Sequence, residues 1–449
     1  MKFIIVAILI ATFSPAFCRI HTIKSADDFK DKLLDSSGYD TLYLDKGIYQ
    51  GQFTVSAPVV IIGDSSTILD GNTIGDVVTI VADSVSLKGI TVQNSGTRLL
   101  KDHAGIKIAG DYVEISNCTI RDNLHGIYIK AGNNIRIQDN NIIGRFDIQE
   151  ADRGNGIHLW NTADNLVENN NISYARDGIY FSFANNTSIK NNHIHHLRYG
   201  LHYMYSDSNS FEDNLFEYNI AGSALMFSES IVFQRNVFAH CRGFRAYGLL
   251  LQSVDNCYAA DNLILNNTKA VFFSNSSYNR FENNDIIQND LAVQINVSCE
   301  GNTLVSNNFI SNLAEVMMDA TVVSSTKWSE KNIGNFWTAY SGYDLDNNQV
   351  GDTPYQLQSV FEFIEIDNPA IRFYLYSPAS QLLAAAEKRL PILRKKTIED
   401  PNPLFRPNKN SNIPHDNIMD FERDISWSHL IFWVMVLILP VSLGWVALK

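Results

Sequence analysis

Apolar and polar residues along this chain alternate in short bursts separated by turn-forming residues. After Gly156, Gly178 and Gly200 the first and third positions are apolar: Ile157 and Leu159, Ile179 and Phe181, Leu201 and Tyr203. A period of two predicts a strand with one face buried. A second short strand follows Asn170, Asn192, Asn214 and Asn236, with Ile172, Ile194, Phe216 and Phe238 two residues on. Asn, Ser, Asp and Gly, which accept tight turns, lie between the strands. From Gly156 to Gly222 both columns recur every 22 residues, and a fixed period of that size predicts a stacked architecture. The pattern therefore predicts an all-β fold, a right-handed parallel β-helix with coils about 4.8 Å apart. The Asn column is expected to form a ladder, each side-chain amide bonding to its counterpart one coil away.

The period continues downstream through Gly248, Ala270 and Ala292 before loosening near Val316, and upstream through Gly126 and Gly105. Two intervals are long: 30 residues from Gly126 to Gly156 and 26 from Gly222 to Gly248. The extra residues, RFDIQEAD around Phe146–Asp152 and CRGF around Cys241–Phe244, fall between the Asn column and the Gly column. Both insertions are thus expected at one corner of the coil, either as tolerated loops or as a binding edge.

Outside the repeat, residues 1–18 carry one Lys, an apolar run and SPAFC, the pattern of a signal peptide. Ala16 and Cys18 suit a cleavage site that leaves Arg19 first; bulky Phe17 disfavours acylation of Cys18. Residues 19–104 read as a cap and irregular first coils. SADDFKDKLLDSS from Ser25 begins with a Ser-x-x-Asp cap and is expected to place Phe29, Leu33 and Leu34 on one helix face. Such a helix would cover the open first coil. The regular body spans 105–320 and the closing coils 321–390, with a helix expected from Ser377. Residues 391–426, proline-bearing and of mixed charge, read as a linker. Residues 427–449 hold an apolar stretch long enough for a transmembrane helix, with Trp427, Trp433 and Trp445 as interfacial anchors.

A net charge of −13 over 449 residues argues against a nucleic-acid partner. Beyond Cys18 the cysteines are Cys118, Cys241, Cys257 and Cys299, none in a CxxC pair. That removes the common zinc and thioredoxin motifs. Cys118 falls in the Asn column, and Cys241 and Cys257 lie about one coil apart, which leaves a disulfide between them open.

The in-out register exposes two outward columns after the glycines. One runs Tyr128, His158, Tyr180, His202, Ala224; the other Lys130, Trp160, Ser182, Met204, Met226. A merely solvated face would carry Lys, Glu, Thr and Ser, so this one is covered or functional. His202 and Met204 share a face at i and i+2, and Met226 stacks beside Met204. Imidazole and thioether suit Cu(I), which makes His202, Met204 and Met226 candidate ligands, with His158 two coils away. The competing reading packs both methionines under a partner. HHLR, His195–Arg198, reads as a solvated loop or a docking surface. Asp344, Asp346, Asn348 and Asp352 have the 1, 3, 5, 9 spacing of a calcium loop, but Gln349 and Tyr355 stand where Gly and Glu belong. Calcium and a plain hydrogen-bonded turn both remain open there. Neither outward column carries Asp or Glu, as a polysaccharide lyase or hydrolase would require. The alternative function, a polysaccharide-binding or -modifying β-helix, would use Tyr128, Trp160 and Tyr180 as stacking surfaces.

Five segments carry a specific resemblance: DRGNGIHLWN (Asp152–Asn161), ARDGIYF (Ala175–Phe181), RYGLHYMYS (Arg198–Ser206), AGSALMFS (Ala221–Ser228) and GNFW…YDLDNNQVGDTPY (Gly334–Tyr355). In this order they closely resemble the NosD family, over roughly Ile20 to Pro407. The resemblance implies an exported, non-enzymatic β-helical protein that helps insert copper into nitrous oxide reductase. It also implies partners: an ABC transporter permease and its ATPase, a copper-chaperone lipoprotein, and the reductase. Copper would be held transiently, as Cu(I). The C-terminal apolar stretch adds an expected tether, a periplasmic protein held at the inner membrane.

Overall fold

The computed structural model describes residues 19–36, 38–296, 298–318, 325–356, 377–379, 382 and 399–408. Three long parallel sheets of 13, 13 and 12 strands wrap the body. In each coil the chain runs along face I (for example Leu166–Glu168), turns into face II (Asn171–Ser173), then into face III (Asp177–Asn185), and rises to the next rung. The expected parallel solenoid is present. Its interior is a continuous apolar column that includes Ile157, Leu159, Ile179, Phe181, Leu201 and Tyr203, none with exposed surface.

The glycine column lines up because nothing larger fits. A Cβ on Gly178 would sit 2.6 Å from the Gly200 carbonyl oxygen, and one on Gly200 2.5 Å from that of Gly222. The Asn column forms the expected ladder between faces I and II. Asn192 donates its backbone N–H (3.0 Å) and its side-chain NH2 (2.9 Å) to Asn214 Oδ1, and Asn214 repeats the pattern toward Asn236. Each amide also donates inward to a backbone carbonyl, as Asn214 does to Ile189, so buried corner groups are satisfied rung by rung. The residue before each ladder Asn sits in the left-handed region, from Asn169 (φ 57) to Asn283 (φ 55), where Asn and Asp are the favoured non-glycine residues; Arg235 is the exception, at φ 55.

Two further ladders hold the other corners. Asn219, Asn267, Asn289 and Asn312 serve the corner between faces II and III. Asn165, Asn209, Asn279 and Asn302 serve the corner between faces III and I. Cys118 occupies a ladder position of the first kind, donating its N–H to Asn140. Cys241 stands in the second ladder and Cys257 in the third. They therefore lie at different corners, and both are free thiols. Burial pushes each up to about 12, which makes them inert fillers.

At the N-terminus the helix Ala26–Asp35 covers the first coil, and Ser25 Oγ accepts the Asp28 N–H at 3.2 Å. Phe29 packs on Phe53 (4.8 Å between centroids), and Leu33 is buried. Leu34, expected beside them, is 84 % exposed; one step past Leu33, it turns about 100° away from the core. At the other end Asp400 closes the first ladder. It is fully buried and accepts hydrogen bonds from Asn335 N–H (2.7 Å) and Trp337 Nε1–H (2.9 Å). Residues 399–408 lie in the stretch expected to be a linker, yet part of them seals the last coil, because the ladder needs a final acceptor.

The candidate calcium loop is a turn closed by its own carboxylates. Asp344 accepts the N–H groups of Asn348 and Gln349 at 3.0 and 2.9 Å, and Asp352 accepts that of Leu345 at 2.6 Å. The expected signal peptide (residues 1–18), transmembrane segment (427–449) and most of the helix from Ser377 lie outside the described residues. Among the described residues no helix is long and apolar enough to cross a membrane.

Candidate metal-binding face

The outer side of face III carries the predicted columns in the predicted register. Tyr128, His158, Tyr180, His202 and Ala224 are partners in successive rungs, and so are Lys130, Trp160, Ser182, Met204 and Met226. Leu201 and Tyr203 are fully buried between them, so the half-buried His202 and Met204 point outward. Met204 and Met226 are direct register partners, one rung apart. The Tyr180 hydroxyl reaches Met204 Sδ at 3.8 Å, tying the two columns together.

A residue that the columns did not reveal organises this face. Asp177, one position before Gly178, has no exposed surface, yet its carboxylate accepts from Arg198 through two nitrogens at 2.9 and 2.7 Å. Its Oδ2 lies 3.0 Å from His202 Nδ1. Burial alone would raise the Asp177 pKa, but hydrogen bonds from His202 and Arg198 override it and hold the carboxyl below its ordinary value. A carboxylate on Nδ1 keeps the proton there and leaves Nε2 as the lone-pair donor, the arrangement that orients metal-binding histidines. The sequence signal was an acid in a column where the neighbouring rungs place Asn155, Tyr199 and Ala221. Its meaning depends on Arg198, one coil later. The HHLR segment accordingly splits: Arg198 turns to Asp177, while His195 faces Asn171 (Nε2 to Oδ1, 3.1 Å) and its own neighbour His196.

His158 is not brought to His202. Tyr180 stands between them, 4.6 Å from one ring and 4.9 Å from the other, so the two imidazoles are about 10 Å apart by rung spacing. Burial, then the neighbouring His125, pushes the His158 pKa down to about 3. An unfolded His titrates near 6.5. Between those values the unfolded chain binds a proton that the folded chain refuses, so folding stability falls as pH drops. Lowering pH from 7 to 5 should cost roughly 1–2 kcal/mol through this one group. His158→Phe should flatten that part of the pH dependence, as read from urea midpoints at the two pH values.

Among the described residues no group of three or more His, Cys, Asp or Glu is placed to hold a metal ion. Met204 and Met226 lie on the same outer side as His202, and thioether with imidazole is a soft donor combination of the kind Cu(I) prefers.

These features define a class: a parallel β-solenoid, here with imidazole and thioether side chains on the outer side of one face. A mannuronic-acid-specific polysaccharide family 6 lyase from human gut microbiota shares the fold, at TM-score 0.52 and 15% identity over 84% of this chain and all of that one. Residues 143–342, which include the whole of the Asp177–Met226 cluster, match the family described as "Periplasmic copper-binding protein (NosD)". Residues 30–185 also match a family of unknown function, DUF1565. The chain is 34% identical to a probable ABC transporter binding protein NosD of Pseudomonas aeruginosa, over 80% of this chain and 87% of that one. It is 30% identical to the protein of the same description from Stutzerimonas stutzeri, over 83% and 88%. The chain belongs to the NosD family.

Proposed function

We propose that this protein is a non-enzymatic, periplasmic accessory factor that receives Cu(I) on face III and passes it toward nitrous oxide reductase. Its partners in this reading are an ABC transporter, permease and ATPase together, and a copper-chaperone lipoprotein. The family's description as copper-binding and its relatives' description as transporter-binding support the reading. One observation carries it: Met204 stacks on Met226 beside a His202 whose Nδ1 is held by a buried carboxylate. Copper is cargo here, held by few and soft ligands that allow release. Asp177, the acid beside these donors, is already engaged by Arg198 and His202, which disfavours the general acid–base chemistry of the alternative, a polysaccharide-modifying enzyme. Export by residues 1–18 and an inner-membrane tether at 427–449 complete the proposal.

Competition titration of the protein with a chromophoric Cu(I) chelator tests it. His202→Ala, Met204→Leu and Met226→Leu should each weaken Cu(I) binding by roughly 10–100-fold, the scale seen when a metal's shell is disturbed. His158→Asn should leave affinity unchanged. Equal affinity in all four variants would remove the site.

A further inference from the structure

The corner between faces II and III carries three insertions, one more than the repeat interval revealed. Ile106 pairs with Val78, so the coil that ends there has 28 residues, and its extra length lies between Thr91–Gln93 and Ala104–Ile108. Each insertion lifts a large apolar side chain into solvent: Leu100 is 100 % exposed, Phe146 58 % and Phe244 93 %. Each tip is flanked by cations. Arg98 and Lys101 bracket Leu99–Leu100, Arg145 precedes Phe146, and Arg242 and Arg245 bracket Phe244.

Together residues 96–103, 144–153 and 241–246 hold six Lys or Arg against four Asp or Glu, in a chain of net charge −13. Arg145 and Arg242 are partly answered by Asp147 and Asp290; Arg98, Lys101 and Arg245 are exposed. Six rung steps separate the first tip from the last, a straight row of roughly 30 Å. Between the tips the corner residues Tyr174, His196, Tyr218 and His240 take left-handed backbone (φ 53–58). Their rings stack in sequence at 5.2, 5.5 and 4.9 Å between centroids.

A protein-docking hot spot is a contiguous desolvated patch depleted in charge. A narrow apolar row spread over six rungs, with Phe146 resting on the Tyr174 ring at 4.3 Å, Leu100 and Phe244 at its ends and cations around them, instead matches a flat, anionic, amphipathic surface. We propose that this corner lies on an anionic phospholipid bilayer, with Leu99, Leu100, Phe146 and Phe244 entering the boundary between headgroups and acyl chains. The solenoid axis would then run parallel to the membrane. This inference is independent of copper.

The test uses the full chain and vesicles of phosphatidylethanolamine and phosphatidylglycerol. Leu100→Cys, Phe244→Cys and, at the exposed corner between faces I and II, Asn191→Cys are each labelled with an environment-sensitive fluorophore. The native cysteines of the described body are buried and unreactive. Emission from labels at 100 and 244 should rise severalfold on vesicles and be quenched by lipids brominated in the acyl chain, while the label at 191 stays unchanged. Each label reports its own depth, so a tether elsewhere in the chain does not mimic the result. Arg98→Glu with Lys101→Glu and Arg245→Glu should reduce the rise. Labels at 100 and 244 that behave like the one at 191 would overturn the proposal. So would a rise that needs a co-reconstituted transporter permease and is not quenched by brominated lipid, which would make the corner a protein-docking edge.

Discussion

Asn214→Ala is expected to destabilise the middle of the solenoid by about 2–4 kcal/mol, from one buried backbone N–H left without an acceptor at 1–3 kcal/mol and the lost amide contacts. The orphan is the Asn192 N–H, which loses its acceptor, Asn214 Oδ1. The Ile189 carbonyl loses the Asn214 amide but stays in the parallel ladder with Ser210–Glu212. The Asn192 N–H cannot turn to water, because it lies at an interior corner. Coils stabilise mainly their neighbours in a solenoid, so the damage should be local. Amides of residues 189–216 should exchange with solvent faster by roughly two to three orders of magnitude, while those of the first coils keep their protection. Asn191→Ala, on the exposed side of the same turn, should have far less effect. Unchanged exchange in the Asn214 variant would mean that the ladder is a consequence of stacking rather than a cause.

Asp177→Asn should have the second large effect, on stability and on copper together. The carboxylate is fully buried while Arg198 is about one-third exposed. Arg198 can therefore turn partly to solvent, which puts the loss at the low end of the 3–5 kcal/mol typical of a broken buried pair, about 3 kcal/mol. The copper effect follows from the tautomer. An Asn side chain can donate to His202 Nδ1 through its NH2, which would move the imidazole proton to Nε2 and remove the lone pair that faces outward. Cu(I) affinity should fall by roughly 10–100-fold, as for other groups that orient a ligand. Asp177 is a positioning residue, so its loss should lower Cu(I) affinity while leaving the sulfur ligands in place, whereas Met226→Leu removes a sulfur ligand.

Much of this architecture can be read from the chain alone, for a physical reason. The glycine column is strict because a Cβ would strike the next rung's carbonyl, and the Asn column is strict because an amide both donates and accepts along the axis. Positions with one tolerated solution repeat visibly. The other two corners tolerate mixtures. Thr187 and Cys257 interrupt one ladder, and Leu197 and Cys241 the other, so no simple column marked them. The soft donors His202, Met204 and Met226 were legible through the two-residue period. Asp177 was not, because its partners Arg198 and His202 come from the following rung. The insertion at residues 96–103 was hidden by irregular early coils that set no reference interval. The fully buried role of Asp400 was equally hidden, since a carboxylate ending an amide ladder 65 residues from Asn335 leaves no periodic trace.

X-ray absorption at the copper edge, on protein loaded with one equivalent of Cu(I), addresses the ligand set itself. Sulfur and imidazole nitrogen are expected around copper in the native protein, with the sulfur contribution lost in Met204→Leu/Met226→Leu and the imidazole contribution lost in His202→Ala. A spectrum without sulfur, or a sulfur shell that survives replacement of both methionines, would contradict this ligand set.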